Sequence, residues 1–249
     1  MILVTGGTGT LGRAVVRQAR AAGTAVRVLS RRPGPEDTVV GDLTTGAGLA
    51  AALHGVGTVI HCATATRTPG ADVRAAEQLL ATARDERPHL VYISIVGVDR
   101  IPLRYYQEKL AVERLIESGA PWTILRTTQF HELVRDLLRR LARFPVVPVP
   151  AGTSVQPIDV DAAAARLLEL AAARPAGRAP DLGGPQVRTA TDLARSYLRH
   201  ARSRRPVLPV PFPGRVARAY REGFHLAPDS PGGGRTFDEF LADDREGER

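Results

Sequence analysis

Residues 2–12 have the sequence Ile2-Leu3-Val4-Thr5-Gly6-Gly7-Thr8-Gly9-Thr10-Leu11-Gly12. The first three residues are typical of a short buried strand, and a glycine-rich turn follows at once. Gly7, Gly9 and Gly12 satisfy the spacing G-x-G-x-x-G, which allows a tight turn, a close approach of the backbone to a pyrophosphate and close packing of a helix on the strand. The N–H groups at the start of such a helix hold phosphate oxygens. The stretch therefore predicts a strand, a phosphate-binding turn and a helix.

Strand-like and helix-like segments alternate after this turn. Runs of β-branched and other apolar residues predict strands at 2–4, 25–29, 58–61, 90–94 and 122–126. Helix-period segments between them predict helices at about 10–22, 46–54, 70–86, 105–118 and 130–143. Alternating βα units form a parallel sheet with helices on both faces. The predicted fold class is therefore α/β, a doubly wound Rossmann fold.

The helical pattern ends after Phe144, because the proline-rich segment 145–150 cannot continue a helix and predicts an extended connector. We expect one domain over residues 1–249, with a dinucleotide-binding core at 1–145 and a small loop-rich substrate lobe at 146–249. A helix at 159–173 and a strand at 178–182 predict a return to the core at about 155–182, and another helix is expected at 189–203. Segments 205–214 and 231–234 are predicted loops, and the acidic tail from Asp238 is a predicted solvated terminus.

Composition excludes several classes of protein. The chain has 249 residues and a formal charge of +8, yet no block of five or six like charges appears, which disfavours a nucleic-acid partner. One cysteine, Cys62, excludes a disulfide framework, and the scattered histidines predict no metal site. The sequence shows no signal stretch and no run of 18 apolar residues, so we expect a cytoplasmic protein without a membrane partner. Oligomeric state is left open.

The end of the second strand bears on the choice of dinucleotide, because an acidic residue there would bind the ribose 2′-hydroxyl of NAD. Ser30-Arg31-Arg32 occupies this place, and a hydroxyl with two guanidiniums suits a 2′-phosphate. NADP(H) is therefore favoured over NAD(H); the alternative is that one or both arginines are ordinary surface residues of an arginine-rich chain. Asp42, in Gly41-Asp42-Leu43, either accepts a hydrogen bond from an adenine amino group or caps a turn.

Tyr105, Tyr106 and Lys109 open a predicted helix, and both tyrosines share a face with the lysine. Lys109 is the single lysine among 34 basic residues, in a chain that otherwise uses arginine. A compact ammonium with rotatable donors can bridge ribose hydroxyls and a phenol in a way that a planar guanidinium cannot. A nearby ammonium and an oxidised nicotinamide ring are expected to favour the ionised phenol, which suits proton transfer beside a hydride donor. A surface lysine at this position is the alternative.

These segments together resemble the atypical short-chain dehydrogenases/reductases, specifically the NmrA-like NAD(P)H-binding group. The resemblance rests on Thr5-Gly6-x-x-Gly9-x-x-Gly12, Ser30-Arg31, Gly41-Asp42-Leu43, Tyr92-Ile93-Ser94-Ile95-Val96-Gly97 and Tyr105-x-x-x-Lys109, and extends to Trp122–Arg126 and Val155–Val160. It implies that Tyr105 is the acid/base, that Lys109 is its electrostatic partner and a ribose ligand, and that Ser94 orients the substrate. Tyr106 is the alternative acid/base.

The same resemblance implies a set of cofactor-binding residues along the chain. His61-Cys62-Ala63-Thr64 matches the stretch that lines the adenosine and ribose side, and Thr127, Thr128, Gln129 and Phe130 are candidates for the nicotinamide end. Two features depart from the family pattern: the chain has no asparagine for the superfamily's proton relay, and Thr127 replaces a common proline. The expected cofactor residues are Gly6, Thr8, Gly9, Thr10, Leu11, Gly12, Ser30, Arg31, Arg32, Asp42, Leu43, Cys62, Ala63, Thr64, Lys109, Thr128 and Phe130.

Two functions follow from these expectations. The first is an NADPH-dependent oxidoreductase that transfers a hydride to a small, partly apolar carbonyl or quinone substrate, the hydride being the cofactor's. The second is a non-catalytic NADP(H) sensor that acts on a protein partner. A sensor needs the lysine for binding but has no need of a phenol, so the pairing of Tyr105 with Lys109 favours the enzyme.

Overall fold

The computed structural model describes residues 1–65 and 68–247, with side chains as far as residue 243. In chain order the elements are β1 (Ile2–Thr5), α1 (Thr10–Ala21), β2 (Val26–Ser30), β3 (Thr38–Val40), α2 (Leu49–Leu53), β4 (Thr58–His61), α3 (Ala71–Thr82), β5 (His89–Ile95), α4 (Arg104–Gly119), β6 (Trp122–Thr127), α5 (His131–Leu141), β7 (Val147–Pro150), β8 (Ser154–Val155), α6 (Val160–Ala172), β9 (Gly177–Arg178), β10 (Arg188–Thr189), α7 (Ala190–His200), β11 (Val207–Val210), α8 (Arg215–Arg221) and α9 (Phe237–Gly247).

The main sheet has the strand order β3-β2-β1-β4-β5-β6-β9. Val4 pairs with Val28 on one side and with Ile60 on the other, in parallel register. This order confirms the predicted doubly wound Rossmann fold, because the chain moves outward from β1 through β2 and β3 and then returns to β4 on the other side of β1. Ligands of such sheets bind beyond the carboxyl ends of the strands where the order reverses. That point lies between β1 and β4.

Contacts between residues divide the chain into two compact units. The first comprises Met1–Ser94, Arg104–Arg126 and Ala163–Pro180, and the second comprises Ile95–Leu103, Thr127–Ala162 and Asp181–Arg249. The core of the first unit contains fully buried side chains from the sheet and from α2, α3 and α4, including Leu3, Leu53, Leu79, Ile116 and Ile124. Close packing of these apolar side chains holds the helices on the sheet.

The second unit contains an element that the sequence does not predict. Residues 207–210 form β11, which pairs in parallel with β7, although four prolines between 205 and 214 predict a loop. Proline cannot donate to a ladder and is therefore confined to edge strands. Both members of a two-stranded sheet are edges, so Pro148 and Pro209 are tolerated in this pair.

The acidic tail from Asp238 is not the solvated terminus that the sequence predicts. It forms α9, and Phe237, Phe240 and Leu241 are buried in a cluster with Leu193 and other apolar residues of α7. The i, i+3, i+4 spacing of these three side chains is the apolar stripe of an amphipathic helix. The prediction of a solvated tail is wrong because the acidic side chains of α9 that the structure describes, Asp238, Glu239 and Asp243, face solvent, while the apolar stripe is buried.

A buried ion pair joins α4 to β6 within the first unit. Arg126 donates two hydrogen bonds to Glu113, of 2.9 and 2.7 Å, and the Glu113 carboxylate is fully buried. Arg178 on β9 lies 3.3 Å from the same carboxylate and 2.6 Å from the more exposed Glu117. Removal of one partner from a buried pair leaves the other charge without compensation.

We expect Glu113→Ala to lower the free energy of unfolding by about 3 kcal/mol or more, because it leaves the Arg126 guanidinium buried beside an empty carboxylate site. Glu117→Ala is the matched control on the same helix, and should cost less than about 1 kcal/mol. Urea unfolding of both variants measures the difference. Equal losses would contradict the assignment of Glu113 as the structural partner.

Candidate functional site

The glycine turn after β1 brings three backbone segments into contact. Gly6 has φ +69°, and a Cβ on it would lie 2.6 Å from the Ala63 nitrogen at the end of β4. A Cβ on Gly12 would lie only 2.1 Å from the Gly6 carbonyl oxygen, which also accepts a hydrogen bond of 2.9 Å from the Gly9 N–H. Glycine is required at both positions, because any side chain would separate α1 from the turn or β1 from β4. The left-handed residue of the turn is thus Gly6 rather than Gly7.

Helix α1 starts with Thr10, Leu11 and Gly12 and carries no acidic residue in its first turn. Its N-terminal N–H groups and its dipole favour an anion, as expected for a pyrophosphate site. Leu11 is buried, so the part of this residue that would serve a phosphate is its backbone. This end of α1 fits the phosphates of a dinucleotide, because it combines N–H groups with the positive end of the helix dipole.

A cavity of about 290 Å³ lies beside this turn. It brings together the turn, the ends of β2 and β4 and the segment after β3. Ten of the predicted cofactor residues line it, namely Gly6, Thr8, Gly9, Ser30, Arg31, Asp42, Leu43, Cys62, Ala63 and Thr64, and Ala65, Ala71, Asp72 and Ala75 complete much of the remaining wall. Asp42 accepts a hydrogen bond of 2.7 Å from the Thr44 N–H, so it caps a turn and lines the cavity at the same time.

A larger groove of about 1320 Å³ shares Thr8, Ser30 and Arg31 with this cavity. Five arginines and no carboxylate are among its lining residues, which include Arg13, Arg17, Arg20, Arg31 and Arg32. Arg20 is engaged by Asp37, whereas the side chains of Arg31 and Arg32 are exposed. The groove therefore presents positive charge at the end of β2, where the sequence predicts a 2′-phosphate site.

The phenol of Tyr105 is hydrogen-bonded to a residue of the smaller cavity. Its oxygen lies 3.1 Å from the hydroxyl oxygen of Thr64, and its ring meets the edge of the buried Tyr106 at a centroid distance of 6.3 Å. Burial raises the pKa of Tyr105, and the carboxylates of Asp72 and Glu108 raise it further. These surroundings alone favour the protonated phenol, whereas the expected shift toward the ionised form also requires an oxidised nicotinamide ring and stays a prediction.

Lys109 is buried in the first unit, and its side chain is shielded from solvent. Its ammonium donates a hydrogen bond of 3.1 Å to the Ile93 carbonyl and lies 4.3 Å from the centre of the Tyr92 ring. Burial lowers the pKa of Lys109 to about 8, although the negative charge of Asp72 opposes the shift. A buried lysine supported by one carbonyl and one aromatic face is not a surface residue, which excludes the alternative considered from the sequence.

Ser94 lies near the carboxyl end of β5 and is 2% exposed. Within the described residues its hydroxyl is buried without a hydrogen-bond partner. Buried hydroxyls are nearly always satisfied, so an unpaired one at the ligand-binding end of a parallel strand fits a ligand-orienting role.

Sequence reasoning missed Asp72, on the first turn of α3. This carboxylate is 4% exposed, and it accepts hydrogen bonds of 2.7 Å from the Thr64 hydroxyl and 2.6 Å from the Ala65 N–H. An aspartate in a first helical turn is commonly explained by the helix dipole, and no motif sets this one apart. Its proximity to Thr64 depends on the loop after β4, which the sequence pattern does not specify.

His61 and Cys62 end β4 in uncharged forms. Burial lowers the pKa of His61 to about 4, and its Nδ1 lies 2.7 Å from the Thr5 hydroxyl oxygen while its ring stacks on Tyr92. Burial raises the pKa of the Cys62 thiol to about 12. Cys62 therefore supplies wall surface and not a reactive thiolate.

Thr128 and Phe130 belong to the second unit. The Thr128 hydroxyl is buried and accepts a hydrogen bond of 3.2 Å from the Gly184 N–H, and Phe130 precedes α5 and forms a bridge with Ile158. Their contribution to a nicotinamide site remains a prediction.

In the ranges 1–65 and 68–247, no helix combines the length and the apolar character needed to cross a membrane. The same part of the chain has no group of three or more His, Cys, Asp or Glu side chains arranged to hold a metal ion.

Comparison with known proteins agrees with the geometry of the turn and the cavity. Residues 6–169 match the model of the NAD(P)H-binding family. The (4-alkanoyl-5-oxo-2,5-dihydrofuran-3-yl)methyl phosphate reductase of Streptomyces griseus is 33% identical over 210 residues, which cover 77% of this chain and 71% of the relative. An NADPH-dependent quinone oxidoreductase of Escherichia coli, solved with NADPH, has a TM-score of 0.80 at 18% identity, covering 98% of this chain and 100% of that one. A short-chain dehydrogenase/reductase superfamily protein of Agrobacterium tumefaciens, solved with NAD, has a TM-score of 0.75 at 22% identity and covers both chains completely.

The fold and the cavity at the glycine turn define a Rossmann-type NAD(P)-binding protein. The chain belongs to the NAD(P)H-binding family. The family match confirms the NAD(P)H-binding part of the resemblance found in the sequence, and the solved neighbours share the fold.

We expect Gly12→Ala to weaken NADPH binding by about tenfold or more, because its Cβ would collide with the Gly6 carbonyl and displace the start of α1. Gly57→Ala is the control, since a Cβ there meets no atom within 4 Å. Quenching of protein fluorescence by NADPH measures affinity, and thermal melting reports the fold. Unchanged affinity in Gly12→Ala would contradict the role of the turn.

Proposed function

We propose that the protein is an NADPH-dependent reductase of a small carbonyl or quinone compound, with Tyr105 as the proton donor. The observation that carries this proposal is the 3.1 Å hydrogen bond between Tyr105 and Thr64, a residue that lines the cavity at the glycine turn. A titratable phenol is thereby held at the edge of the space that suits a dinucleotide. A protein that only bound the dinucleotide would have no use for the phenol.

The protein offers binding groups for the pyrophosphate and for the adenosine half of the cofactor. The turn at Gly6 and the start of α1 would hold the pyrophosphate. Arg31 and Arg32 would hold the 2′-phosphate, and Asp42 and Leu43 would lie against the adenine. When bound, the dinucleotide would supply the hydride.

The surroundings of Tyr105 favour the reductive direction. Reduction of a carbonyl requires a proton on its oxygen as the hydride reaches its carbon, and a phenol whose pKa is raised keeps that proton at neutral pH. Lys109 would hold positive charge beside this site, and the unpaired Ser94 hydroxyl would orient the substrate oxygen. The named activity of the Streptomyces griseus relative is also a reduction.

We expect Arg31→Glu to weaken NADPH binding by about tenfold or more and to leave NADH binding nearly unchanged, because only NADPH carries the 2′-phosphate. Arg114→Glu makes the same charge change at an exposed position of α4 that lines neither cavity. Calorimetric titration of both dinucleotides separates the effects. Equal weakening for NADPH and NADH would contradict the assignment of Arg31 to the phosphate.

We expect Tyr105→Phe to lower kcat by about a hundredfold or more while NADPH affinity is retained, because the variant loses the proton and keeps the ring. Tyr106→Phe is the matched control one residue along the same helix, and it should retain most of its activity. The reverse order of the two variants would transfer the acid/base role to Tyr106.

Reductase activity is measured as the loss of NADPH absorbance in the presence of a panel of quinones and of conjugated or simple carbonyl compounds. We expect at least one acceptor to be reduced. Tight NADPH binding without turnover of any acceptor would instead favour a non-catalytic sensor of NADP(H).

A further inference from the structure

Tyr105, Thr64 and Asp72 form one hydrogen-bonded chain from α4 to α3. The Tyr105 and Thr64 oxygens are 3.1 Å apart, and the Thr64 hydroxyl donates to the Asp72 carboxylate at 2.7 Å. The second carboxylate oxygen accepts the Ala65 N–H at 2.6 Å. The sequence contains no asparagine, so the proton relay of the wider superfamily has no counterpart of that residue type here.

The direction of the chain follows from the number of protons in it. A threonine hydroxyl has one proton and an ionised carboxylate has none, so the proton between Thr64 and Asp72 belongs to Thr64. Thr64 then has only a lone pair left for Tyr105. In the resting chain the phenol must therefore donate to Thr64, and Thr64 must donate to Asp72.

Ionisation of the phenol would reverse one of these bonds. A Tyr105 phenolate could be stabilised by the Thr64 proton only if that proton turned away from Asp72, which would leave a buried carboxylate short of one hydrogen bond. The Asp72 carboxylate and a Tyr105 phenolate would therefore compete for the same proton, that of the Thr64 hydroxyl. We propose that Asp72 is a positioning residue that acts through Thr64 to hold the proton on Tyr105 until substrate takes it.

The proposal rests on the proposed reductase function for its catalytic meaning, but the chain itself exists without substrate. Other titratable groups also face Tyr105 or its neighbours, and each has to be separated from Asp72 in a test: Glu108 and Lys109 on α4, Tyr92 on β5, and His61 and Cys62 at the end of β4. Glu108 is the best control, because its carboxylate also bears on Tyr105 but it belongs to no part of the chain.

The test is a pH titration of the Tyr105 phenol in the full-length protein without substrate. Tyrosines labelled with ¹³C at Cζ are followed by NMR, and the Tyr105→Phe spectrum assigns the signal. Asp72→Asn should move the midpoint of Tyr105 to lower pH, and Glu108→Gln should move it less. Asparagine should preserve the fold, because the Ala65 N–H selects the amide oxygen and leaves the NH₂ group toward Thr64, where it cannot accept the proton. Equal midpoints in Asp72→Asn and the wild type would overturn the proposal.

Thr64 variants separate the hydrogen-bonded chain from a simple effect of charge. If Asp72 claims the Thr64 proton, Thr64→Val removes an acceptor from the phenol and lowers the midpoint, and Thr64→Ser restores it. If Thr64 donates to the phenolate instead, Thr64→Val raises the midpoint and the proposal fails. In the Thr64→Val background Asp72→Asn should have a smaller effect; an undiminished effect would show that Asp72 acts through space. If Asp72→Asn does not fold, the two Thr64 variants, Thr64→Val and Thr64→Ser, test the proposal on their own.

Kinetics distinguish failure of this proposal from failure of the proposed function. In an active reductase, kcat falls as pH rises through the Tyr105 midpoint, and Asp72→Asn should move that fall to lower pH with little change in KM. If Asp72→Asn shifts the Tyr105 midpoint but the protein reduces no acceptor, the hydrogen-bonded chain is supported and the proposed reductase function is wrong. If the enzyme is active but Asp72→Asn changes neither the pH profile of kcat nor the titration midpoint of Tyr105, the proposed role of the hydrogen-bonded chain is wrong.

Discussion

The close approach at the Gly6 carbonyl is the constraint on which the rest of the site depends. The Gly9 N–H bonds to this oxygen, and Gly12 allows α1 to lie against it at a distance that no side chain would permit. The positive φ of Gly6 turns the chain away from β4, whose Ala63 backbone lies within 2.6 Å of where a Cβ would be. The start of α1, the end of β1 and the end of β4 therefore converge on one point. The cavity lies beside that point.

Burial governs the protonation of the groups around this cavity. Loss of water lowers the pKa values of His61 and Lys109 and raises those of Cys62 and Tyr105, so each shift is toward the uncharged form. Asp72 is the carboxylate that opposes this tendency at Lys109 and reinforces it at Tyr105. The interior thus favours a phenol that keeps its proton, which suits proton donation better than proton abstraction.

Much of the fold was predictable because its signals are local. The buried strands are β-branched runs, and the turn and the Tyr105–Lys109 spacing are visible as residue types at fixed separations. The positive φ of Gly6 could not be assigned among the neighbouring glycines, because it depends on the approach of β4. Asp72 was missed because its partner Thr64 is brought to it by the loop after β4. The burial of α9 depends on its packing with α7, and composition alone indicated a solvated tail. The predicted division near residue 145 and the roles of Thr128 and Phe130 stay predictions.

The most direct test of the account is amide hydrogen exchange of the unaltered protein with and without NADPH. Binding at the glycine turn should slow exchange in residues 6–12, at the end of β2 and in residues 62–65, because these segments line the cavity or form the start of α1. The protection should be weaker with NADH at residues 30–32, where the 2′-phosphate would lie. Protection confined to segments outside these, or no protection at saturating NADPH, would contradict the claim that the Gly6 turn forms the dinucleotide site.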